Sequence, residues 1–264
     1  MIHLTYFDLG LAALLVLVLA GLAGRVQRGL RNQLLVAALR TTVQLLLVGL
    51  VLKALFAHAA LGWVLLMALF MLAVAGREVR VRQTRRLRGL WGYGVGTLSL
   101  LLSSFSVTLF ALLAIIGERP WYEPQYAIPL LGMVLGNSMT GTAIALERLH
   151  EGAWQRRAEI EARLMLGHPA TEAVAPVRRE ALRAALIPVI NAMAAAGVVS
   201  LPGMMTGQIL AGAPPVEAVK YQILIMFLIA VASGIGALAA LALATRRLFD
   251  ARERLRLDRL EMRP

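Results

Sequence analysis

The chain has no cysteine. Disulfides, thiolate metal centres and thiol nucleophiles are therefore excluded. It has only two lysines, Lys53 and Lys220, and neither follows a Gly-x-x-x-x-Gly-Lys-Ser/Thr loop. The sequence thus lacks the phosphate cradle of a nucleotide-hydrolysing domain. Acidic residues are scarce, 15 against 27 basic ones. Asp8 and Glu147 fall near opposite ends of apolar runs, so no carboxylate is expected near mid-bilayer. A gradient-driven transporter or channel would be expected to use one. The four histidines, His3, His58, His150 and His168, are expected at ends or in loops. None pairs with an acidic residue inside a run, which leaves a membrane enzyme without a catalytic cluster.

What the sequence has is apolar length. It is 59% hydrophobic, and its mean hydropathy is +0.73. The apolar residues come in runs of about 18 or more, the length a helix needs to cross a bilayer. Seven spans are expected, at about Tyr6–Ala23, Leu34–Phe56, Ala59–Ala75, Leu90–Ile116, Ile128–Leu146, Leu186–Ala211 and Val219–Ala244. The fold class is an all-α integral membrane protein. The first run is read as a retained span, because Arg25 follows it and no Ala-x-Ala cleavage site appears.

The net charge of +12 could suggest nucleic acid, but topology explains it better. With seven spans, 23 of the 27 basic residues fall on one side. They cluster at Arg25–Arg31, Arg77–Arg88, Arg148–Arg183 and Arg246–Arg263. The positive-inside rule then places the N-terminus outside and the C-terminus in the cytoplasm. The partners expected from this are a lipid bilayer and no nucleic acid.

The longest cytoplasmic loop runs over residues 148–185. Within it, Ala158–Leu166 read as a short helix, ended by Gly167, which tolerates positive φ. Pro169 lies near the first turn of a second helix that runs into the sixth span. A short helix, a turn and a rigid continuation make a lever.

The run Glu161-Ala162 to Gly167, followed by Pro169 and Ala170 and later by Ile187-Pro188, resembles the EAA loop of bacterial ABC-transporter permeases. The resemblance implies a coupling helix that docks in a cleft of an ATPase, with Glu161, Ala162, Gly167 and Pro169 as its marks. Arg163 stands where the pattern has Ala, and the spacing from Gly167 to Pro188 is longer than the pattern's. Further segments are similar to the FetB iron-export permeases: Ile128-Pro129, Gly136-Asn137-Ser138-Met139, Gly197–Gly207 and Arg40-x-x-x-Gln44. That family implies one permease domain over residues 1–264, a second copy of itself and a cytoplasmic FetA-type ABC ATPase. It also implies a bacterial inner or plasma membrane, and ATP and magnesium on the ATPase rather than on this chain. The implied cargo is a metal ion, iron, moved outward. Related plant proteins are linked to aluminium tolerance, so a different metal or small solute stays open.

Polar residues inside spans are candidates for the pathway. Arg40 either snorkels to the cytoplasmic surface or faces the bundle interior, and Gln44 lies one turn deeper on the same face. Met133, Asn137, Thr140, Ile144 and Glu147 fall on one stripe of the fifth span. Gly132 and Gly136 form a small-residue ridge beside it, so packing competes with transport there. Met193, Gly197, Ser200, Met204 and Gln208 share a face of the sixth span, which Pro202 should break. Ions often bind at such breaks. Met133, Asn137, Ser200, Met204 and Gln208 are the candidate metal contacts. Thioethers favour soft ions and oxygens hard ones, so this set does not select one metal.

Overall fold

The computed structural model describes residues 5–57 and 60–262. His3, His58 and the first residue of the third expected span lie outside the described residues. The chain separates into a unit ending at Ala60 and one beginning at Leu61. Five helical stretches among the described residues are long and apolar enough to cross a membrane: Phe7–Arg25, Gly29–Ala57, Trp91–Ile116, Pro124–Gln155 and Pro215–Leu248.

The first unit is a pair of helices, α1 (Tyr6–Val26) and α2 (Arg28–Ala57), packed along each other. Thr5 and Asp8 form a capping box at the start of α1: Thr5 N–H donates to Asp8 Oδ2 (2.7 Å), and Asp8 N–H donates back to Thr5 Oγ1. Asp8 is therefore accounted for by satisfying orphan donors at a helix end. Ala20 and Leu55 are buried, whereas most of the unit's leucines are exposed. Arg40 and Gln44 are likewise exposed on α2. An apolar exterior on paired helices suits hydrocarbon, where every backbone group must be bonded within the helix.

The second unit begins with α3 (Leu61–Val81) and strand β1 (Arg85–Leu87). The fourth expected span is one rod made of α4 (Trp91–Leu100), a π segment (Leu101–Phe105), α5 (Ser106–Phe110) and a second π segment (Ala111–Ile116). Gly117, at φ +67°, ends it. Helix α6 (Pro124–Gln155) lies at the centre and packs against α3, α9 and α11. Then follow α7 (Arg157–Met165), α8 (Ala170–Ala173), α9 (Ala175–Ala195), α10 (Gly203–Leu210) and α11 (Pro215–Leu248). The sixth expected span is thus two pieces. Helix α9 stops at Ala195, and Pro202 caps α10.

One element departs from the all-α expectation. Strand β2 (Leu260–Met262) pairs antiparallel with β1, with Arg86 opposite Glu261 and Leu87 opposite Leu260. Topology alone accounts for the terminal arginines in the sequence and calls for no ordered tail. Instead Leu257 and Leu260 are buried in the core and Leu255 packs against it, while Arg256 and Arg259 are half-buried and Arg254 is exposed.

Close helix approach rests on small residues. A methyl at Gly236 of α11 would meet the hydroxyls of Ser103 and Thr142 at 3.0 Å each. A methyl at Gly92 would collide with the backbone carbonyl of Leu87, which no side-chain rotation relieves. Gly94, two residues on, faces open space. Gly92→Ala should therefore destabilise the folded protein by about 1–3 kcal/mol, and Gly94→Ala should leave it unchanged. Thermal unfolding of the two variants in detergent checks the pair.

Candidate functional site

Helix α6 ends in a stripe of side chains at helical spacing, Glu147, His150, Glu151 and Trp154, that grips one short segment. Glu147 Oε2 accepts the backbone N–H of Thr84 at 2.8 Å. His150 Nδ1 meets the carbonyl of Arg85 at 3.1 Å, so that nitrogen carries the proton. Glu151 Oε2 pairs with Arg85 Nε at 2.8 Å. The same guanidinium lies 4.1 Å over the Trp154 ring. His150 is therefore a buried helix residue, not the loop or end residue expected from sequence. Its Nδ1 partner is a backbone carbonyl, and no cluster of three or more His, Asp or Glu that could hold a metal occurs among the described residues.

The segment held by α6 leads into β1, and β1 holds the C-terminal tail. Glu261 pairs with Arg86 at 2.8 Å and with Arg80 at 3.6 Å. Arg88 N–H donates to the Arg259 carbonyl, and Arg259 Nη1 donates to the carbonyls of Arg247 and Phe249. Before β2 the tail makes a tight turn. Asp250 accepts the backbone N–H groups of Arg252 and Arg254 and pairs with the Arg254 side chain at 2.8 Å. Those N–H groups, that of Arg254 foremost, hold the Asp250 carboxyl at about 2, below the ordinary carboxylate range. The turn carries Glu253 at φ +56°. Glu253 Oε2 accepts the N–H of Ala170 at 3.0 Å, at the start of α8.

That bond ties the tail to the long loop between α6 and α9. Helix α7 falls where the short helix was expected, and Gly167 follows it at φ +88°. Pro169 caps α8, which is separated from α9 by Val174 alone. Arg156, at the α6–α7 junction, makes a two-pronged bond to Glu180 of α9, at 2.8 and 2.7 Å. Ile160 is buried and anchors α7. Glu161 forms an ion pair with Arg157 at 2.8 Å, Arg163 forms one with Glu159, and Ala162 is exposed. The tip presents Met165 at 83% exposure and Leu166 at 79%, two large apolar side chains beside a turn.

Two cavities open between α6 and α9. The larger, about 640 Å³, is lined by Thr140, Ile144, Glu147 and Glu151 of α6, by Arg82 and Arg148, and by Ala184 and Pro188 of α9. The smaller, about 110 Å³, continues past Thr140 and Pro188 to Asn137, Ser233 and Met226. The Ser233 hydroxyl is buried with no hydrogen-bond partner in the protein. Asn137 Nδ2 donates to the Met133 carbonyl at 2.8 Å, leaving its oxygen toward other partners. Pro188 has no N–H, so the Ala184 carbonyl loses its helical donor.

The structure thus brings Asn137, Thr140, Ile144 and Glu147 to one crevice, and adds Arg82 and Ser233, which sequence reasoning missed. It does not assemble the proposed face of Met193, Gly197, Ser200, Met204 and Gln208. That face is interrupted by a turn at Gly197 (φ +81°), where Ser200 is exposed. Met204 and Gln208 belong to α10, which packs on α11.

A family model described as "Uncharacterised protein family (UPF0014)" matches residues 6–249. The UPF0014 membrane protein slr1647 of Synechocystis is 42% identical over 86% of both chains. Protein ALUMINUM SENSITIVE 3 of Arabidopsis thaliana is 34% identical over 81% of this chain and 77% of its own. The "Probable iron export permease protein FetB" of Escherichia coli is 30% identical over 98% of both. No solved structure matches.

The tail contact makes a direct expectation. Glu253→Gln weakens a charged cap of the kind that contributes about 1–2 kcal/mol. Amide exchange at Ala170 should then quicken roughly 5- to 30-fold. Exchange at α11 should stay unchanged, as mass spectrometry of deuterated peptides would show.

Proposed function

Since the chain belongs to the UPF0014 family of multi-pass membrane proteins, we propose that it is the permease subunit of an ATP-binding cassette exporter. Its motor is a separate cytoplasmic ATPase, and its cargo is a metal, iron first. The observation that carries this reading is α7. It is a short helix with an apolar, exposed tip, anchored by Ile160, strapped to α9 through Arg156 and Glu180, and followed at once by the Gly167 turn. Such a tip has no use for its exposed Met165 and Leu166 unless a partner covers them. Pull on α7 reaches α9 through a rigid bidentate bond, and α9 lines both cavities. The full-length similarity to a relative named as an iron export permease supports the cargo and the direction.

In this reading α3 and the broken α9–α10 pair cross the membrane with the five long helices. Seven crossings put the clusters of arginine, α7 and the tail on the cytoplasmic side. A second copy of the chain completes the pathway. The glycines Gly136, Gly203 and Gly207 have open space where a methyl would stand, and so leave room for a close neighbour.

A second reading keeps the architecture and changes the cargo. The name of the Arabidopsis relative refers to aluminium, and the oxygen-rich crevice suits hard ions as well as ferrous iron.

Replacing Met165 and Leu166 together with Asp tests the coupling assignment. Both side chains are exposed, so folding should survive, while co-purification of the cognate ATPase and ATP-driven transport in proteoliposomes should fall at least tenfold. Gly167→Val, at a φ that costs a β-branched residue about 1–2 kcal/mol or more, should also uncouple hydrolysis from transport. Full association and transport in both variants would falsify the assignment. With the wild-type protein, a metal panel in the same vesicles identifies the cargo. Movement of another solute and none of iron would remove iron.

A further inference from the structure

We infer that the larger α6–α9 cleft recognises an oxyanion, so that a metal reaching it travels as an anionic, oxygen-ligated chelate rather than as a bare ion. This rests on the permease reading and names the form of its substrate.

Size is the first observation. A divalent ion with six waters fills about 200 Å³, counting about 30 Å³ per water. The cleft encloses about 640 Å³, within the range of sites for small organic molecules.

Charge is the second. The charged side chains facing the cleft are Arg82, Arg148, Glu147 and Glu151. Glu151 is spent twice: one oxygen pairs with Arg85, and the other accepts Gln155 Nε2 at 2.8 Å. Glu147 gives one oxygen to the Thr84 N–H. The two arginines are not spent. Arg82 reaches only the Thr140 hydroxyl, at 3.4 Å, and neither arginine has a carboxylate within 4 Å among the described residues. Glu151 is neutralised by Arg85 outside the lining, so the cleft keeps two arginines against Glu147, one of whose oxygens remains open.

Geometry is the third. A guanidinium presents paired donors that match a carboxylate or phosphate edge. Arg82 follows α3 and Arg148 belongs to α6; both line the cleft and both are exposed at it. Hydroxyl and carbonyl groups continue inward from them, at Thr140, Ala184, Asn137 and Ser233. A naked cation approaching that entrance would meet two arginines without a carboxylate partner against one open carboxylate oxygen, that of Glu147. An anionic chelate would be drawn in, its apolar edges resting on Ile144, Ile187 and Pro188.

The experiment uses the full-length protein in phosphatidylcholine vesicles, with and without phosphatidylglycerol, and four probes: ferric citrate, citrate, inorganic phosphate and ferrous iron. Ferric citrate should bind, more weakly as salt rises. Arg82→Gln and Arg148→Gln should each weaken it about tenfold or more, with thermal stability unchanged. Citrate binding and moving without iron would keep the oxyanion site and remove the iron cargo. Ferrous iron bound or moved better after Arg82→Gln would remove the oxyanion site and leave iron export standing. If phosphatidylglycerol alone, or phosphate alone, engages the arginines and ferric citrate never binds, the chelate proposal is overturned. In that case the cleft is a headgroup or phosphate contact.

Discussion

The grip of Glu147, His150, Glu151 and Trp154 on Thr84 and Arg85 is the interaction on which the rest depends. It uses one face of the last turns of α6 and a few atoms of a connecting segment. Its effect is to give a long central helix a fixed attachment at its polar end. Once Thr84 and Arg85 are fixed, β1 is placed, β2 can pair with it, and the tail turn comes to rest against α8. Individually these are ordinary bonds, several of them half-exposed and modest in energy. Their value is positional. Three chain segments far apart in sequence become one block around the polar end of α6.

Against that block the apolar part of the second unit is built on different terms. Its helices pack where side chains shrink to hydrogen, methyl or hydroxyl, as at Gly236 beside Ser103 and Thr142. In hydrocarbon, burying leucine against leucine gains little over burying it against lipid, so close backbone approach and interhelical polar contact matter more. The unpartnered hydroxyls of Ser104, Ser138, Thr142 and Ser233 follow from the same economy of size. Serine and threonine supply small volume, and only some of them find an acceptor. One of these, Ser233, falls where the smaller cavity needs a polar wall.

Much of this was legible in the sequence, for reasons that differ by element. The five longest apolar stretches stand out because crossing length is set by bilayer thickness alone. The α7 turn was legible because glycine is required where φ is positive, and Gly167 stands there. The break of the sixth span was legible from Pro202, but its extent was not. The helix stops seven residues earlier, at Ala195, and the turn between the pieces removes the common face of Met193, Ser200 and Met204. His150 was misplaced because a loop boundary was drawn at the end of hydrophobicity, while α6 runs on for two turns as a polar helix. The tail strand escaped notice because its arginines carried a sufficient topological explanation. The strand itself, Leu260–Met262, is too short to show a period of two, and a 3-10 segment directly precedes it.

The tail turn also bears on how the protein is made. Glu253 completes the start of α8, yet it is synthesised after α11, the last of the long helices. The loop that carries α8 therefore stands unfinished through most of insertion and acquires this brace only after α11 has been made. A chain interrupted within α11 could have every earlier helix in the bilayer and still lack the Glu253 cap on α8. In this fold the start of α8 is finished by a residue that follows α11 in the chain.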